Sequence, residues 1–198
     1  VFPMLVLYIL FFILPLFQTI GYSFTDYNGI NPRKEFTGLT NYVDVFQDKW
    51  FYNSMLFTGK SVILMILLAN VLGFLLALAL NTKIKSRNIL RAIVFCPFVF
   101  NNVTVGFIWQ FLLGRFMTDL YPLTGWKVFN IGWLSDSSLV LYSVVFVKLW
   151  QSIGYFMVIY LAGLQLLPQD PLEAAVLDGC TGIKMISYMT IPLMIPTA

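Results

Sequence analysis

Ser61-Val-Ile-Leu-Met-Ile-Leu-Leu-Ala69-Asn70-Val-Leu-Gly73-Phe-Leu-Leu-Ala77-Leu-Ala-Leu80 decides the fold. It contains no charge and is as long as an α-helix must be to cross the hydrocarbon of a bilayer, about 20 residues. Lipid offers no partner to a free backbone N–H or C=O, so such a segment is helical. Ala69, Gly73 and Ala77 recur at spacing four, a stripe of small residues along which a second helix can approach closely. Asn70, beside that stripe, reads as an interhelical hydrogen bond rather than a binding residue.

The surrounding chain repeats the pattern. Apolar spans are expected at 1–22, 56–80, 92–113 and 139–161, with a fifth starting at 191, separated by loops at 23–55, 81–91, 114–138 and 162–190. Of the 198 residues 59% are hydrophobic and 11% charged, against roughly 25% charge in a soluble domain. The fold class is therefore all-α, a polytopic integral membrane protein whose apolar excess faces the lipid bilayer. The 19 Phe, 10 Tyr and 5 Trp exclude disorder. A net charge of +3 without a contiguous basic face excludes a nucleic-acid partner. Cys96 and Cys180 have no metal-ligand spacing, and with no His in the chain neither a disulfide nor a zinc site is implied. The first span lacks the basic flank and small-residue cleavage site of a signal peptide, and its Pro3 and Pro15 are tolerable where neighbouring helices take up the freed carbonyls. Both ends of the chain lie in apolar runs, so a fragment of a longer membrane protein is expected.

Orientation follows from the 81–91 loop, which carries Lys83, Lys85, Arg87 and Arg91 and no acid. Short loops rich in Lys and Arg stay cytoplasmic, which turns 23–55 and 114–138 outward and 162–190 inward. Asn28-Gly29 and Asn31-Pro32 mark turns in the first outer loop. Trp50, Trp109, Trp126 and Trp133 fall near the outer boundaries, as an aromatic belt requires.

The chain contains no nucleophile elbow, no Gly-rich phosphate loop and no paired carboxylates within a span, so an enzyme is not expected. Polar groups inside the spans carry the remaining signal. Asn101, Asn102, Thr104 and Gln110 follow Pro97, and buried amides need partners in protein or water. Lys148, Gln151, Ser152 and Tyr155 stand at i, i+3, i+4 and i+7 and share one helical face. Gln151, Ser152 and Tyr155 read as cavity lining. Lys148 either snorkels or pairs near the helix end, or it touches substrate. In the inner loop, Asp170-Pro171-Leu172-Glu173 has an N-cap residue, a proline at the first helical position and a glutamate at the third, a helix start of the capping-box kind. Gly179 ends that helix, and a second short one follows over 183–189, before Pro192 and Pro196 mark the entry of the next span. The small Ala174 and Ala175 suit close approach by a partner. Asp170, Glu173 and Asp178 against Lys184 leave no basic face for lipid, so the loop is expected to contact protein.

At this loop the chain resembles the membrane-spanning subunits of ABC importers, whose cytoplasmic signature is Glu-Ala-Ala, then Gly, then a hydrophobic-Pro segment. Here it reads Glu173-Ala174-Ala175-Val-Leu-Asp178-Gly179-Cys180, followed by Ile191-Pro192-Leu193 and Pro196. Phe36-Thr-Gly38-Leu-Thr-Asn41-Tyr42-Val43 and Gly163-Leu164-Gln-Leu-Leu-Pro168 resemble the carbohydrate-uptake branch, the permeases for maltose, glycerol phosphate and oligosaccharides. The resemblance covers nearly the whole chain. It implies the type I transmembrane fold with a six-helix core, of which this chain supplies four helices and the start of the fifth. It implies a multi-pass place in a bacterial-type inner membrane, a second permease subunit, a cytoplasmic ATPase dimer holding ATP and Mg, and an extracellular sugar-binding protein, with no cofactor on this chain. The helix at 171–178 would be the coupling helix that docks on the ATPase, with Glu173, Ala174, Ala175, Asp178 and Gly179 on the motif; Cys180 replaces the common Ala. By the same resemblance Phe98, Asn102, Lys148, Gln151, Ser152 and Tyr155 would face the sugar cavity. Amides and hydroxyls suit a sugar's several donors and acceptors, and Phe98 or Tyr155 can stack on a pyranose. Lys148 departs from the neutral residue expected there, which allows a uronate, a phosphate or a carboxylate on the partner subunit.

The other readings are an ion-gradient-driven secondary transporter and a structural membrane subunit without a cavity. The first calls for intramembrane carboxylates, and no Asp or Glu lies within the predicted spans. The polar face of the fourth span opposes the second.

Overall fold

The computed structural model describes residues 2–30, 34–82 and 85–194. The expected turn at Asn31-Pro32, Lys83 of the basic loop and the Pro196 signal lie outside the described residues. The described residues contain helices α1 (Phe2–Ser23), α2 (Thr40–Gln47), α3 (Lys49–Leu80), α4 (Arg87–Val99), α5 (Asn102–Thr124), α6 (Val140–Leu166), α7 (Gln169–Leu177) and α8 (Ile183–Met194). Of these, α1, α3 and α6 are each long and apolar enough to cross a membrane, and α4 with α5 forms a further, broken candidate. The chain divides into two compact units, Val1–Thr58 and Gly59–Ala198.

In the first unit α1 widens into a π turn at Ile9–Ile13, where the Leu14 N–H bonds to the Ile9 carbonyl. Pro15 explains the widening: it has no N–H and its ring crowds the carbonyl four residues back, so bonding shifts to i→i+5. The loop after α1 closes on itself. The Asn41 side-chain amide donates to the Ser23 carbonyl (2.9 Å) and the Thr25 carbonyl (2.8 Å), and the Ser23 and Tyr42 hydroxyls meet at 2.6 Å. This gives the Asn41-Tyr42 pair a structural role. At Asn28-Gly29 the Asn28 Oδ1 accepts from the Ile30 N–H, and Gly29 takes φ +83, the local turn its dipeptide predicts.

In the second unit α4 and α6 pack along much of their length. Gly154 of α6 faces the backbone of α4 so closely that a Cβ there would stand 2.6 Å from Phe95 Cα and 2.8 Å from the Val94 carbonyl carbon. On another side of α6, a Cβ at Gly73 would lie 2.8 Å from Phe156 Cβ. Ala69, Gly73 and Ala77 are all buried, so the small-residue stripe admits a neighbouring helix as its spacing predicts. Asn70 accepts a 2.6 Å hydrogen bond from the Tyr160 hydroxyl, the interhelical bond expected of it.

A buried cluster of Ala77, Leu80, Met157, Leu161, Leu164, Leu167 and Met194 joins α3, α6 and α8, with Leu172 of α7 packed against it. Arg91 Nη2 donates to the Leu80 carbonyl (2.8 Å), giving the carboxyl end of α3 a cationic cap. Before α6, Asp136 accepts from the Ser138 hydroxyl and N–H at 2.6 and 2.8 Å, and these bonds hold its carboxyl below the ordinary value of 3.8.

The elements depart from the predicted bounds. The 92–113 stretch falls on two helices bent by 94°, which together make the further candidate span. Helix α3 begins earlier than 56, and α6 continues past 161 to Leu166. Helix α8 runs unbroken from Ile183 to Met194, through the predicted boundary at 190. A π turn at Ile186–Thr190 precedes Pro192 at the same spacing as in α1, so the proline is absorbed rather than ending the helix. The Trp109 ring packs edge-on against Phe146 (5.2 Å) and Trp150 (5.4 Å).

Candidate functional site

The break between α4 and α5 builds the site. Pro97 removes a helical donor near the end of α4, Phe100 is extended (ψ 141), and Asn101 caps the next helix by accepting from the Val103 N–H at 2.8 Å. Unwinding at this depth leaves carbonyls without helical partners. Gln151, only 7% exposed, supplies one: its Nε2 donates to the Phe100 carbonyl at 3.1 Å. One turn earlier on α6, Lys148 Nζ donates to Asn102 Oδ1 at 3.2 Å. The contacts form an antiparallel ladder in which Gly154 meets Val94 and Phe95, Gln151 meets Phe100, and Lys148 meets Asn102. The missing side chain at Gly154 thus sets the approach that lets Gln151 reach the break.

Phe98, Asn102, Lys148, Gln151 and Ser152 line one cleft with Met65, Phe100 and Asn101. Its volume is about 590 Å³, within the roughly 300–1,000 Å³ of small-molecule sites. Tyr155 stands outside that lining, yet its ring stacks on Phe98 at 4.9 Å and 15°, fixing the aromatic wall. The Ser152 hydroxyl donates to the Lys148 carbonyl at 2.7 Å. Residue-by-residue reasoning missed Met65 and Phe100, whereas Asn101 was among the polar span residues it singled out. Pro97 followed by two asparagines was the available signal, a helix stop and a new N-cap within one span. A second cavity of about 380 Å³, lined by Trp109, Leu113, Met117, Trp133, Tyr142, Ser143 and Phe146, has apolar walls, and its Ser143 hydroxyl is already given to the Trp133 carbonyl (2.7 Å). The polar cleft is the better host for a hydroxyl-rich ligand.

Gln151→Leu leaves the Phe100 carbonyl without its donor. An unsatisfied polar group of this kind costs about 1–3 kcal/mol, so the variant is expected to melt several degrees below the parent in detergent. An unchanged melting temperature would mean that water serves the carbonyl equally well.

The inner-loop motif lies on α7. Pro168, not Asp170, is the N-cap, and Gln169 is the first helical residue, so the predicted capping box does not form. Asp170 still falls in the first turn, where a carboxylate suits the positive helix end, and Pro171 occupies a position whose N–H needs no intrahelical partner. The carboxyl end follows its prediction. Gly179 takes φ +78, its N–H bonds to the Val176 carbonyl (3.0 Å) and the Cys180 N–H to the Ala175 carbonyl (2.8 Å), a Schellman cap. Glu173, Ala174, Asp178 and Gly179 are exposed, whereas Ala175 turns inward and is buried. Val176 (52% exposed) and Leu177 (90%) add apolar side chains to the open face.

The description "binding-protein-dependent transport system inner membrane component" matches residues 69–198. The chain is 36% identical over 196 residues to the probable starch degradation products transport system permease protein AmyD of Thermoanaerobacterium thermosulfurigenes, covering 98% of this chain and 66% of that protein. It is 31% identical over 193 residues to the multiple sugar-binding transport system permease protein MsmF of Streptococcus mutans, covering 98% of this chain and 67% of that one. The chain thus spans about two-thirds of the length of these relatives. Its fold is that of a chain in the crystal structure of a bacterial alginate ABC transporter in complex with an alginate pentasaccharide-bound periplasmic protein, with TM-score 0.81, 21% identity, and coverage of 99% of this chain and 66% of that chain. With the family match covering well over half of its residues, the chain belongs to the inner membrane components of binding-protein-dependent transport systems.

Proposed function

We propose that the protein is a membrane-spanning permease subunit of an ATP-driven importer that moves a sugar or oligosaccharide into the cytoplasm by alternating access. The observation that carries this is the pairing of two features on one rod: the polar cleft on one stretch of α6 and the exposed α7 helix at its end. Helix α6 is 27 residues long, about 40 Å. Only Leu167 and Pro168, both extended (ψ 135 and 131), separate it from α7. Leu167 and Leu172 pack on the same buried cluster, so a push on α7 reaches α6 through a stiff joint.

In this reading α7 is cytoplasmic and sits in a cleft of a separate ATPase dimer, presenting Glu173, Ala174, Val176 and Leu177. ATP and Mg reside on that dimer, and this chain binds no cofactor. Closure of the dimer displaces α7, tilts α6, and changes access to the cleft, where Phe98 and Tyr155 form an aromatic wall and Asn102, Gln151 and Ser152 offer polar atoms to hydroxyls. A second permease faces the cleft, and an extracellular binding protein delivers the sugar. The names of the two relatives, permeases of a starch-degradation-product system and a multiple-sugar system, support the substrate class.

Affinity purification of the full-length tagged protein in mild detergent tests the assembly. A second permease and an ATPase are expected to co-purify at fixed stoichiometry; a protein that purifies alone from cells expressing the whole operon contradicts the reading.

A further inference from the structure

We propose that the cleft selects an anionic saccharide, with Lys148 as the residue that recognises the acid group; this rests on the saccharide-permease reading above. Lys148 is the cation of the cleft, and no carboxylate lines it among the described residues. Among the described residues its ammonium has one polar contact, the neutral Asn102 Oδ1 at 3.2 Å, so its charge is hydrogen-bonded but not neutralised there. An ammonium carries three donors, which leaves capacity for a ligand.

Two further observations give the cleft the same sign. The amino-terminal end of α5 opens on it, with Asn101 and Asn102 in the lining, and a helix start carries partial positive charge. Two of the carbonyls beside the cleft are covered: Gln151 takes the Phe100 oxygen and Ser152 takes that of Lys148. A neutral sugar gains nothing from an ammonium that other donors could not supply. A carboxylate or phosphate on the sugar compensates it, while the Phe98–Tyr155 wall still receives the apolar ring face.

The complete transporter, reconstituted in liposomes with its binding protein and internal ATP, tests this against a mixed hydrolysate of pectate and starch, with accumulated saccharides identified by mass spectrometry. Uronate-containing oligomers are expected to accumulate in preference to neutral ones. Lys148→Gln should lower the acidic-to-neutral ratio by about tenfold, the scale of one charge-assisted hydrogen bond, and Lys148→Arg should keep it within about threefold. Accumulation of neutral oligomers alone by the parent protein overturns the inference and leaves the saccharide-permease reading standing. So does an equal fall of acidic and neutral uptake in Lys148→Gln, the mark of a lysine paired with a carboxylate in the assembled complex. No saccharide uptake at all overturns both.

Discussion

Replacing Gly154 by leucine is expected to leave no folded protein. A Cβ at this position collides with the Val94 carbonyl oxygen and lies 2.6 Å from Phe95 Cα, and both are backbone atoms that cannot rotate away. Overpacking a core by a few carbons ordinarily costs about 1–3 kcal/mol, but here the whole of α4 must retreat from α6. The ladder from Gly154 to Lys148 then opens, and Gln151 no longer reaches the Phe100 carbonyl. Gly154→Ala already introduces the collision and should lower the yield of monodisperse protein sharply. Gly73→Ala meets Phe156 Cβ at 2.8 Å and the nearest backbone atom only at 3.3 Å, a looser approach than at Gly154, and should be milder. Gly106→Ala, with nothing within 4 Å of the added Cβ, should be nearly neutral. Fluorescence-detected size exclusion of the tagged variants reads this order, and an equal yield for Gly154→Ala and Gly106→Ala would contradict the packing described.

The second large effect is functional. Gly179→Pro should abolish uptake while leaving the spans folded. At φ +78 the glycine occupies the left-handed region, where an L-residue costs about 1–2 kcal/mol, and proline cannot enter it at all because its ring fixes φ near −65°. Proline also removes the N–H that bonds to the Val176 carbonyl. The Schellman cap is lost, and the turn from α7 to α8 takes another course. The space around Gly179 is open, with nothing within 4 Å of an added Cβ, so the helix packing of the second unit is untouched. The expected outcome is a normal elution profile, with uptake at background and ATP hydrolysis no longer responsive to the loaded binding protein. Gly179→Ala, which keeps the N–H and meets no clash, should retain partial uptake. Full uptake by Gly179→Pro would remove α7 from the coupling role.

Much of this architecture was legible because membrane helices must satisfy their own backbone, so length and hydropathy alone fix most spans. The stripe Ala69, Gly73, Ala77 announced a close helix contact, and Asn70 its hydrogen bond, because a lone amide in an apolar segment has few other uses. The face Lys148, Gln151, Ser152, Tyr155 followed from the helical period. The break at Phe100 was less legible. Pro97 and the Asn101-Asn102 pair are a stop and a start signal, but a proline within a membrane helix is common, as Pro15 and Pro192 show by being absorbed in π turns. What separates the cases is tertiary: a buried Gln151 waits to receive the freed carbonyl, and sequence does not say which helix brings it. The start of α7 was misread by local chemistry. Asp170-Pro171 has the composition of an N-cap and first turn, yet Pro168 already stops α6 and begins the next helix, placing Asp170 inside it. The inward turn of Ala175 depends on Leu172 docking on the cluster of α3, α6 and α8, a contact between residues nearly a hundred positions apart.

Transport by the reconstituted complex, with the energy source as the variable, tests the central proposal most directly. Full-length protein with its co-purifying subunits is placed in liposomes, saccharide-loaded binding protein is supplied outside, and uptake is followed with ATP, with a non-hydrolysable analogue, and with imposed proton or sodium gradients. Uptake that requires hydrolysable ATP on the α7 side, and is indifferent to ionophores, is the predicted result. Uptake that follows an ion gradient without ATP would contradict an ATP-driven permease and return the chain to the secondary transporters.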